Sequence, residues 1–389
     1  MVEDTQESVS ESLGTLTLPS PLELLPMEFR RTAIVGVGLI GGSIGLRMKA
    51  MEYAGILIGH DDREVLNAAL ACGAIDRGAG DLAEAVAEAD LVVLAVPEDQ
   101  IAVLLPTILR TAKDGALVTD TGATKGEAAR AAGECRNARA VYVGGHPLAG
   151  SNRQGIANAD GGLFENSYWL LTPGTTTPPQ VRESLAWWVR LLGAYPLILE
   201  PELHDRIMAM TTHVPFMIAL ALSRWLAERS EEISVLPRLA TGNFQTITGM
   251  AALPLSVWEA VIRSNRTELG KSLDQFIEVL QRCGTELRED RLADAWQQAH
   301  QFQRRLSRDR PGDWDANCEL AVTVPDRPGT IARIAGLLAS FDINIRDIHM
   351  LYIRERHGGT MRVIFETRTE ARQAMEILLM HGYTARLKE

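Results

Sequence analysis

The stretch "AIVGVGLIGGSIGLRMKA", residues 33–50, joins a short apolar run to a helical pattern through glycines at positions 36, 38 and 41. In this G-x-G-x-x-G spacing the first glycine permits a tight turn, the second lets the backbone approach a pyrophosphate, and the third lets helix and strand pack closely. A second apolar run ends at Asp61, about 20 residues further on, where a carboxylate can accept hydrogen bonds from ribose hydroxyls and repel a 2′-phosphate. The sequence therefore predicts a dinucleotide site that favours NAD over NADP.

We expect the cofactor to contact this turn, the end of the second apolar run and the end of the third. The predicted cofactor-binding residues are Gly36, Gly38, Leu39, Ile40, Gly41, Asp61, Arg63, Val96 and Pro97. Two alternatives stay open. The glycines also fit a turn that binds nothing, and the guanidinium of Arg63 could stack on adenine or pair with a 2′-phosphate.

Three regions with different hydrophobic patterns follow one another along the chain. From Thr32 to Thr172, short runs that are apolar throughout alternate with helical stretches, which predicts parallel strands in a Rossmann-type, doubly wound α/β domain over residues 30–176. Long helices apolar on more than one face predict an all-helical substrate and dimerisation domain over residues 177–308, buried against a second copy in a homodimer. A βαββαβ order predicts a ferredoxin-like α+β domain over residues 316–389.

Composition limits the possible functions. The chain has 389 residues, a formal net charge of −11 and 46% hydrophobic residues, which fits two or three globular domains and disfavours binding to nucleic acid or to an anionic membrane. Its four cysteines are far apart, so we expect neither a metal site nor disulfides, and a cytoplasmic, reducing location. Residues 1–29 begin with an acidic, polar stretch that is typical of a disordered tail.

A histidine closes the apolar run "AVYV" in the motif "GGHPLAGS", residues 144–151. The carboxyl ends of parallel strands are where doubly wound folds bind ligands, so His146 is a candidate acid–base group. A structural histidine that only satisfies hydrogen bonds at a strand end is the alternative.

Several motifs follow the order found in prephenate dehydrogenases of tyrosine biosynthesis that carry an ACT regulatory domain. The chain resembles this family in "GVGLIGGS", "LAVPEDQI", "TDTGATKGE", "GGHPLAGS", "HDRIMAMTTHVP" and "DRPGTIARIAGLLASFDINI". The resemblance implies an oxidative decarboxylation in which NAD accepts a hydride from a cyclohexadienol and His146 accepts the hydrogen bond or proton of its hydroxyl. It further implies that Ser151 and Trp258 contact the substrate, and Thr124, next to Ala123, is a further candidate. His204 and Thr212 are candidates because they are two i+4 steps apart and so should lie on one side of a helix that could line the cleft.

The same resemblance implies feedback control at the C-terminal domain. Asp326, Gly329 and Asn344 are the implied binding residues for an amino-acid effector, with L-tyrosine expected, and Asn344 is expected at the start of the domain's second strand. A purely structural dimerisation module is the alternative.

The chain also departs from the family pattern, at Ala123, Asn152, Phe216, Gln245 and Gly249. Ala123 replaces a serine that would partner the histidine, and Gly249 replaces an arginine that binds the substrate's side-chain carboxylate in relatives. Losing a bidentate guanidinium removes a strong carboxylate anchor, so either another cation replaces it, with Arg238, Arg263 and Arg266 as candidates, or the substrate differs. Three functions therefore stay open: prephenate dehydrogenase, the same chemistry on arogenate or an amino-substituted prephenate analogue, and a non-catalytic sensor of NAD and an amino acid.

Overall fold

A computed structural model describes residues 29–149, 153–240, 242–306, 318–325, 327–354 and 358–387. Ser151, Asn152 and Asp326 lie outside the described residues, as does the expected tail except for Phe29. The chain divides into two compact units, one that ends at Val279 and one that begins at Leu280.

The first unit contains an eight-stranded sheet in the order β3-β2-β1-β4-β5-β6-β7-β8, in which β6 and β7 are antiparallel and all other neighbours are parallel. The strands are β1 (Arg31–Val35), β2 (Ile56–His60), β3 (Arg77–Gly78), β4 (Leu91–Leu94), β5 (Leu117–Asp120), β6 (Val141–Pro147), β7 (Tyr168–Pro173) and β8 (Tyr195–Ile198). The helices between them are α1 (Leu39–Ala50), α2 (Arg63–Ala71), α3 (Leu82–Val86), α4 (Glu98–Thr111), α5 (Gly126–Glu134) and α6 (Pro179–Leu191). This order confirms the predicted doubly wound domain.

Two hydrophobic cores cover the two faces of the sheet. Along β1 the side chains alternate between them, since Ala33 and Val35 pack in one core and Ile34 in the other. Helix α6 packs in the same core as Ile34, and β8 pairs with β7. Both elements follow residue 176, where we expected the nucleotide-binding domain to end. The precise domain boundaries stay predictions.

Helices make up the rest of the first unit and continue past its end. They are α7 (Pro201–Met208), α8 (Val214–Ser230), α9 (Leu236–Leu239), α10 (Gly242–Thr248), α11 (Leu255–Ser264) and α12 (Arg266–Arg288), and α13 (Leu292–Leu306) follows in the second unit. A π-helical turn, Ala209–His213, joins α7 to α8 without a break. The resulting run, Pro201–Ser230, is the one helix among the described residues with the length and apolar composition of a membrane span, criteria that a core helix also meets.

The part of the second unit that follows α13 has the predicted βαββαβ order. Its elements are β9 (Glu319–Val324), α14 (Thr330–Ala339), β10 (Asp347–Arg354), β11 (Gly358–Ile364), α15 (Arg368–Met380) and β12 (Thr384–Leu387). The strands form one antiparallel sheet in the order β10-β11-β9-β12, which confirms the ferredoxin-like arrangement. The predicted strand start at Asn344 is wrong, because β10 begins at Asp347 and Asn344 lies in the exposed segment before it.

Candidate active site

The glycines of the first turn occupy three different environments. Gly36 has a φ of +88°, and a Cβ there would lie 2.4 Å from the carbonyl oxygen of Ala95. A Cβ at Gly41 would lie 2.0 Å from the carbonyl oxygen of Gly36. At Gly38, apart from the glycine itself and its two chain neighbours, no heavy atom of the described residues lies within 4 Å of the Cβ position. Packing thus requires the first and third glycines, whereas Gly38 borders open space that fits a phosphate at the start of α1.

The other predicted cofactor residues lie at the same edge of the sheet. Asp61 directly follows β2, and its Oδ2 accepts a hydrogen bond from the Val37 N–H at 2.7 Å. Leu39 and Ile40 begin α1, the exposed Arg63 begins α2, and Val96 and Pro97 connect β4 to α4. The carboxyl ends of β1, β2 and β4 therefore bring these residues together, as a dinucleotide site needs. Their contacts with NAD stay predictions.

His146 lies near the end of β6 and is only partly exposed. Its Nδ1 is 2.9 Å from Nε2 of His204, a fully buried residue of α7. On the far side of the His204 ring, Nδ1 is 2.8 Å from Oδ1 of Asp205. Three ionisable side chains thus stand in a row, with His146 at the accessible end.

Asp205 is held by the backbone at the start of α5. Its Oδ1 accepts the N–H of Lys125 at 2.7 Å and its Oδ2 accepts the N–H of Gly126 at 2.8 Å. Backbone N–H groups at a helix N-terminus are well placed to bind a carboxylate, so these two hydrogen bonds fix the orientation of Asp205.

Lys125 is a component of the site that sequence reasoning missed. Its ammonium is fully buried, pairs with Asp120 at the end of β5, and donates to the carbonyl oxygen of Gly145 at 2.7 Å. The hydroxyl of Tyr142 donates to the other oxygen of Asp120, and burial, followed by the charge of Asp120, raises the pKa of Tyr142 well above its usual value. The ion pair therefore fixes the strand immediately before His146.

The surroundings keep His146 uncharged. Burial, and then the neighbouring His204 and the Lys125 ammonium, hold the pKa of His146 well below its usual value. Burial also lowers the pKa of His213 to about 4. A neutral imidazole at physiological pH can accept a proton.

Glu98 connects the cofactor side of the site to the helical region. It accepts the N–H of Ala123 at 2.6 Å and the hydroxyl of Thr124, and burial raises its pKa. The Thr124 hydroxyl also lies 2.8 Å from the Ser264 hydroxyl of α11. Thr124 is thus directed at Glu98 and Ser264, and a substrate contact by Thr124 stays a prediction.

An aromatic pair stands near these residues. Phe216 stacks on Trp258 with ring centroids 4.4 Å apart, and the His213 and Trp258 rings are nearly perpendicular with centroids 6.2 Å apart. The amide of Asn265 donates to the backbone oxygen of Asp205 at 2.8 Å, which ties this group to the histidine row. Within the described chain, the buried indole N–H of Trp258 has no hydrogen-bond partner.

The remaining predicted substrate residues have less defined surroundings. Thr212 lies, partly exposed, in the π-helical turn, whose wider spacing departs from the regular α-helix in which we expected it to share a face with His204. Gly249 is exposed, and Arg263, one candidate replacement cation, pairs on the surface with Glu259 at 2.9 Å. The other two candidates, Arg238 and Arg266, are also exposed.

In the C-terminal unit, Gly329 adopts a φ of +82° immediately before α14 and so opens the loop that we expect to bind an effector. The Thr330 hydroxyl donates to the Pro325 carbonyl at 3.1 Å across this loop. No group of three or more metal-ligating side chains occurs among the described residues.

Comparison with known proteins covers nearly the whole chain. Residues 44–195 match the family "Prephenate dehydrogenase, nucleotide-binding domain", residues 200–302 match "Prephenate dehydrogenase, dimerization domain", and residues 319–376 match the ACT domain. The prephenate dehydrogenase of Bacillus subtilis is 31% identical over 350 residues, which are 89% of this chain and 94% of that protein.

Two solved structures share the fold. Prephenate dehydrogenase from Aquifex aeolicus, in complex with hydroxyphenyl propionate and NAD⁺, has a TM-score of 0.64 and 24% identity over 74% of this chain and 100% of its own. Synechocystis arogenate dehydrogenase has a TM-score of 0.62 and 25% identity over 72% of this chain and 98% of its own.

Proposed function

This chain belongs to the prephenate dehydrogenase family, and we propose that it catalyses the NAD-dependent oxidative decarboxylation of prephenate to 4-hydroxyphenylpyruvate for L-tyrosine biosynthesis. When bound, NAD would supply the acceptor for the hydride of the hydroxyl-bearing ring carbon. The hydroxyl gives its proton to a base of the protein, and carbon dioxide then leaves as the electrons of its C–C bond make the ring aromatic. The oxygen regains a proton to give the phenol of the product, so the protein mainly has to align two rings and hold one proton in between.

The observation that carries the proposal is the neutral imidazole of His146 at the carboxyl end of a parallel strand. Its Nδ1 is engaged by His204 at 2.9 Å, which leaves Nε2 for the substrate hydroxyl. A lowered pKa keeps the His146 ring neutral at physiological pH, so one of its two nitrogens can accept a proton. In our proposal Ser151, Thr212, Trp258 and Thr124 contact the substrate, whereas the fully buried His204 lies behind His146.

NAD is the proposed cofactor because the residues present fit a dinucleotide. The open space at Gly38 suits a pyrophosphate, and Asp61 offers a carboxylate to the ribose of NAD. The related Aquifex enzyme was crystallised with NAD⁺. Gly36, Gly38, Leu39, Ile40, Gly41, Asp61, Arg63, Val96 and Pro97 are the proposed contacts.

A different substrate is the second candidate. The candidate cations Arg238, Arg263 and Arg266 are exposed, and Arg263 already pairs with Glu259. None of these three arginines therefore replaces the family arginine that is absent at Gly249. This favours arogenate or an amino-substituted prephenate analogue as the substrate. The structural similarity to an arogenate dehydrogenase supports the same possibility.

The protein is further proposed to act as a cytoplasmic homodimer controlled by an amino acid. Exposed apolar side chains in the region that matches the dimerization family, among them Trp225 (58% exposed) and Leu255 (67%), favour a protein–protein interface there. The ACT domain supports a small-molecule effector, proposed to be L-tyrosine bound at Asp326, Gly329 and Asn344.

The test is the formation of NADH or NADPH by the purified protein, with prephenate and arogenate each supplied with NAD or NADP. We expect turnover of prephenate with NAD, and a loss of about 10²-fold or more in His146→Asn. Preference for arogenate would select the second candidate. NAD binding without turnover of either substrate would favour the non-catalytic sensor.

A further inference from the structure

We propose that Asp205 and His204 form a buried relay that fixes which nitrogen of His146 carries a proton, which makes His204 a positioning residue. The inference rests on the proposed function, in which His146 is the base. It extends that function by assigning the buried pair behind His146 a role in the reaction.

The relay begins with the carboxylate. Asp205 accepts two backbone N–H groups, from Lys125 at 2.7 Å and Gly126 at 2.8 Å, at the start of α5. Both oxygens of the Asp205 carboxylate thus act as acceptors at the N-terminus of a helix. An ionised carboxylate can only accept hydrogen bonds, so Nδ1 of His204, 2.8 Å away, must be the donor.

The tautomer of His204 then determines that of His146. In a neutral ring with its proton on Nδ1, Nε2 carries a lone pair and accepts a hydrogen bond. The partner 2.9 Å from this lone pair is Nδ1 of His146, which must therefore carry the proton. His146 is left with a bare Nε2, the form that a general base requires.

The opposite tautomer would be unproductive. With its proton on Nε2, His146 would present an N–H to the substrate hydroxyl and could not take its proton. In the productive step the O–H bond breaks, its electrons form the ring carbonyl as the hydride leaves for NAD, and a new N–H bond forms at Nε2 of His146. The imidazolium so formed carries a proton on each nitrogen, and the ionised Asp205 lies one ring away to compensate the charge.

This chain depends on the relay because Ala123 provides no hydroxyl. Within the described residues, the one hydrogen bond of the His146 side chain is that to His204. The complete burial of His204 also means that it presents no surface of its own to a substrate. Both observations favour a role behind the base.

The test is the protonation pattern of the His146 ring, observed by ¹⁵N NMR with labelled histidine and assigned by the loss of its signals in His146→Asn. We expect a protonated Nδ1 and a bare Nε2 in the wild-type protein, and loss of this preference in His204→Met. The control His300→Met, at an exposed position on α13, should leave the pattern unchanged. A wild-type ring with its proton on Nε2 would overturn the relay, whether or not the protein turns over prephenate.

Kinetics provide the second readout. His204→Met should lower kcat about 10-fold to 100-fold and leave KM for the substrate within about twofold. His204→Gln, whose amide oxygen can still accept from Nδ1 of His146, should recover most of that loss. A rise in KM with unchanged kcat in His204→Met would instead identify His204 as a substrate contact and refute the positioning role. If no substrate is turned over, the proposed function fails and the NMR result still decides the relay.

Discussion

Lys125 and Asp120 form an ion pair in which neither side chain has any exposed surface. The pair joins the end of β5 to the start of α5, and the same ammonium donates to Gly145 at 2.7 Å, one residue before His146. Desolvation of two charges is costly, and removal of one partner leaves the other buried and uncompensated. The alignment of His146, the proposed base, therefore depends on the buried ion pair between Lys125 and Asp120.

Lys125→Met is expected to lower the free energy of unfolding by about 3–5 kcal/mol, because it leaves the Asp120 carboxylate unpaired. Urea unfolding measures the change. Lys113→Met, which removes the lysine of the more exposed pair with Asp90, is the matched control and should cost about 1 kcal/mol or less. Adding Asp120→Asn to Lys125→Met should recover part of the loss. Equal costs for the two lysine variants would contradict a special role for the buried pair.

The three glycines of the first turn should separate folding from cofactor binding. Gly38→Ala places its Cβ more than 4 Å from any heavy atom of the described residues other than its two chain neighbours. It should leave the free energy of unfolding within about 0.5 kcal/mol and weaken NAD binding about 10-fold or more. Gly36→Ala should destabilise the fold itself, because of its φ of +88° and the carbonyl at 2.4 Å. Calorimetric titration with NAD and urea unfolding measure both effects. Wild-type affinity in Gly38→Ala would show that the pyrophosphate does not approach this residue.

Asp61 should set the choice between NAD and NADP. Asp61→Ser removes the carboxylate that repels a 2′-phosphate, so the ratio of kcat/KM for NAD to that for NADP should fall about 10-fold or more. Asp62→Ser changes an exposed neighbour whose side chain does not cap α2, and its ratio should stay at the wild-type value. An unchanged ratio in Asp61→Ser would assign the selectivity to another residue.

The main features of the fold follow from local sequence. β1, β2 and β4 are continuous apolar runs, and a parallel strand covered on both faces needs such a run. The turn at Gly36 could be predicted since its glycines have distinct steric roles within six residues. Helix α6 and strand β8 show the limit of this reasoning, because an amphipathic helix does not indicate on which core it packs.

The site was less predictable because it depends on contacts between distant parts of the chain. His146 could be singled out from its own strand, but His204, its partner, lies 58 residues later. Lys125 was missed because lysine is ordinarily exposed, and only the folded structure brings Asp120 and Gly145 to its ammonium. The single local hint was the acid at the end of β5, five residues before the lysine.

His213 should make the folded protein less stable as the pH is lowered. Its folded-state pKa is about 4, below the value of about 6.5 expected when unfolded. Between these values the unfolded chain binds a proton that the folded chain excludes, so stability present above about pH 6.5 is lost as the pH falls towards 4. His213→Asn, which keeps an acceptor near the Asn265 amide, should reduce this loss in thermal unfolding followed from pH 7 to 4. His146 titrates in the same direction, so part of the dependence should persist; an unaltered curve would contradict the assignment to His213.

Glu98 should act through its two hydrogen bonds to the loop that carries Ala123. Glu98→Gln can keep both, with its amide oxygen accepting the Ala123 N–H and its amide nitrogen donating to the Thr124 hydroxyl. Glu98→Leu keeps neither and leaves a buried N–H unpaired, which costs about 1–3 kcal/mol. We therefore expect near wild-type NADH formation in Glu98→Gln, a loss of about 10-fold or more in Glu98→Leu, and no change in Asp99→Leu, at the exposed neighbouring position on α4.

The pH dependence of stability distinguishes the charge of Glu98 from its hydrogen bonds. Burial raises the pKa of Glu98 above the unfolded value, so its contribution to stability is full below the unfolded pKa and is lost as the pH rises through the folded pKa. Glu98→Gln has no such titration, and its unfolding free energy relative to the wild type should increase from pH 4 to pH 8. If Glu98→Gln instead loses activity as severely as Glu98→Leu while its stability follows this course, the negative charge beside the cofactor loop is itself required for the reaction.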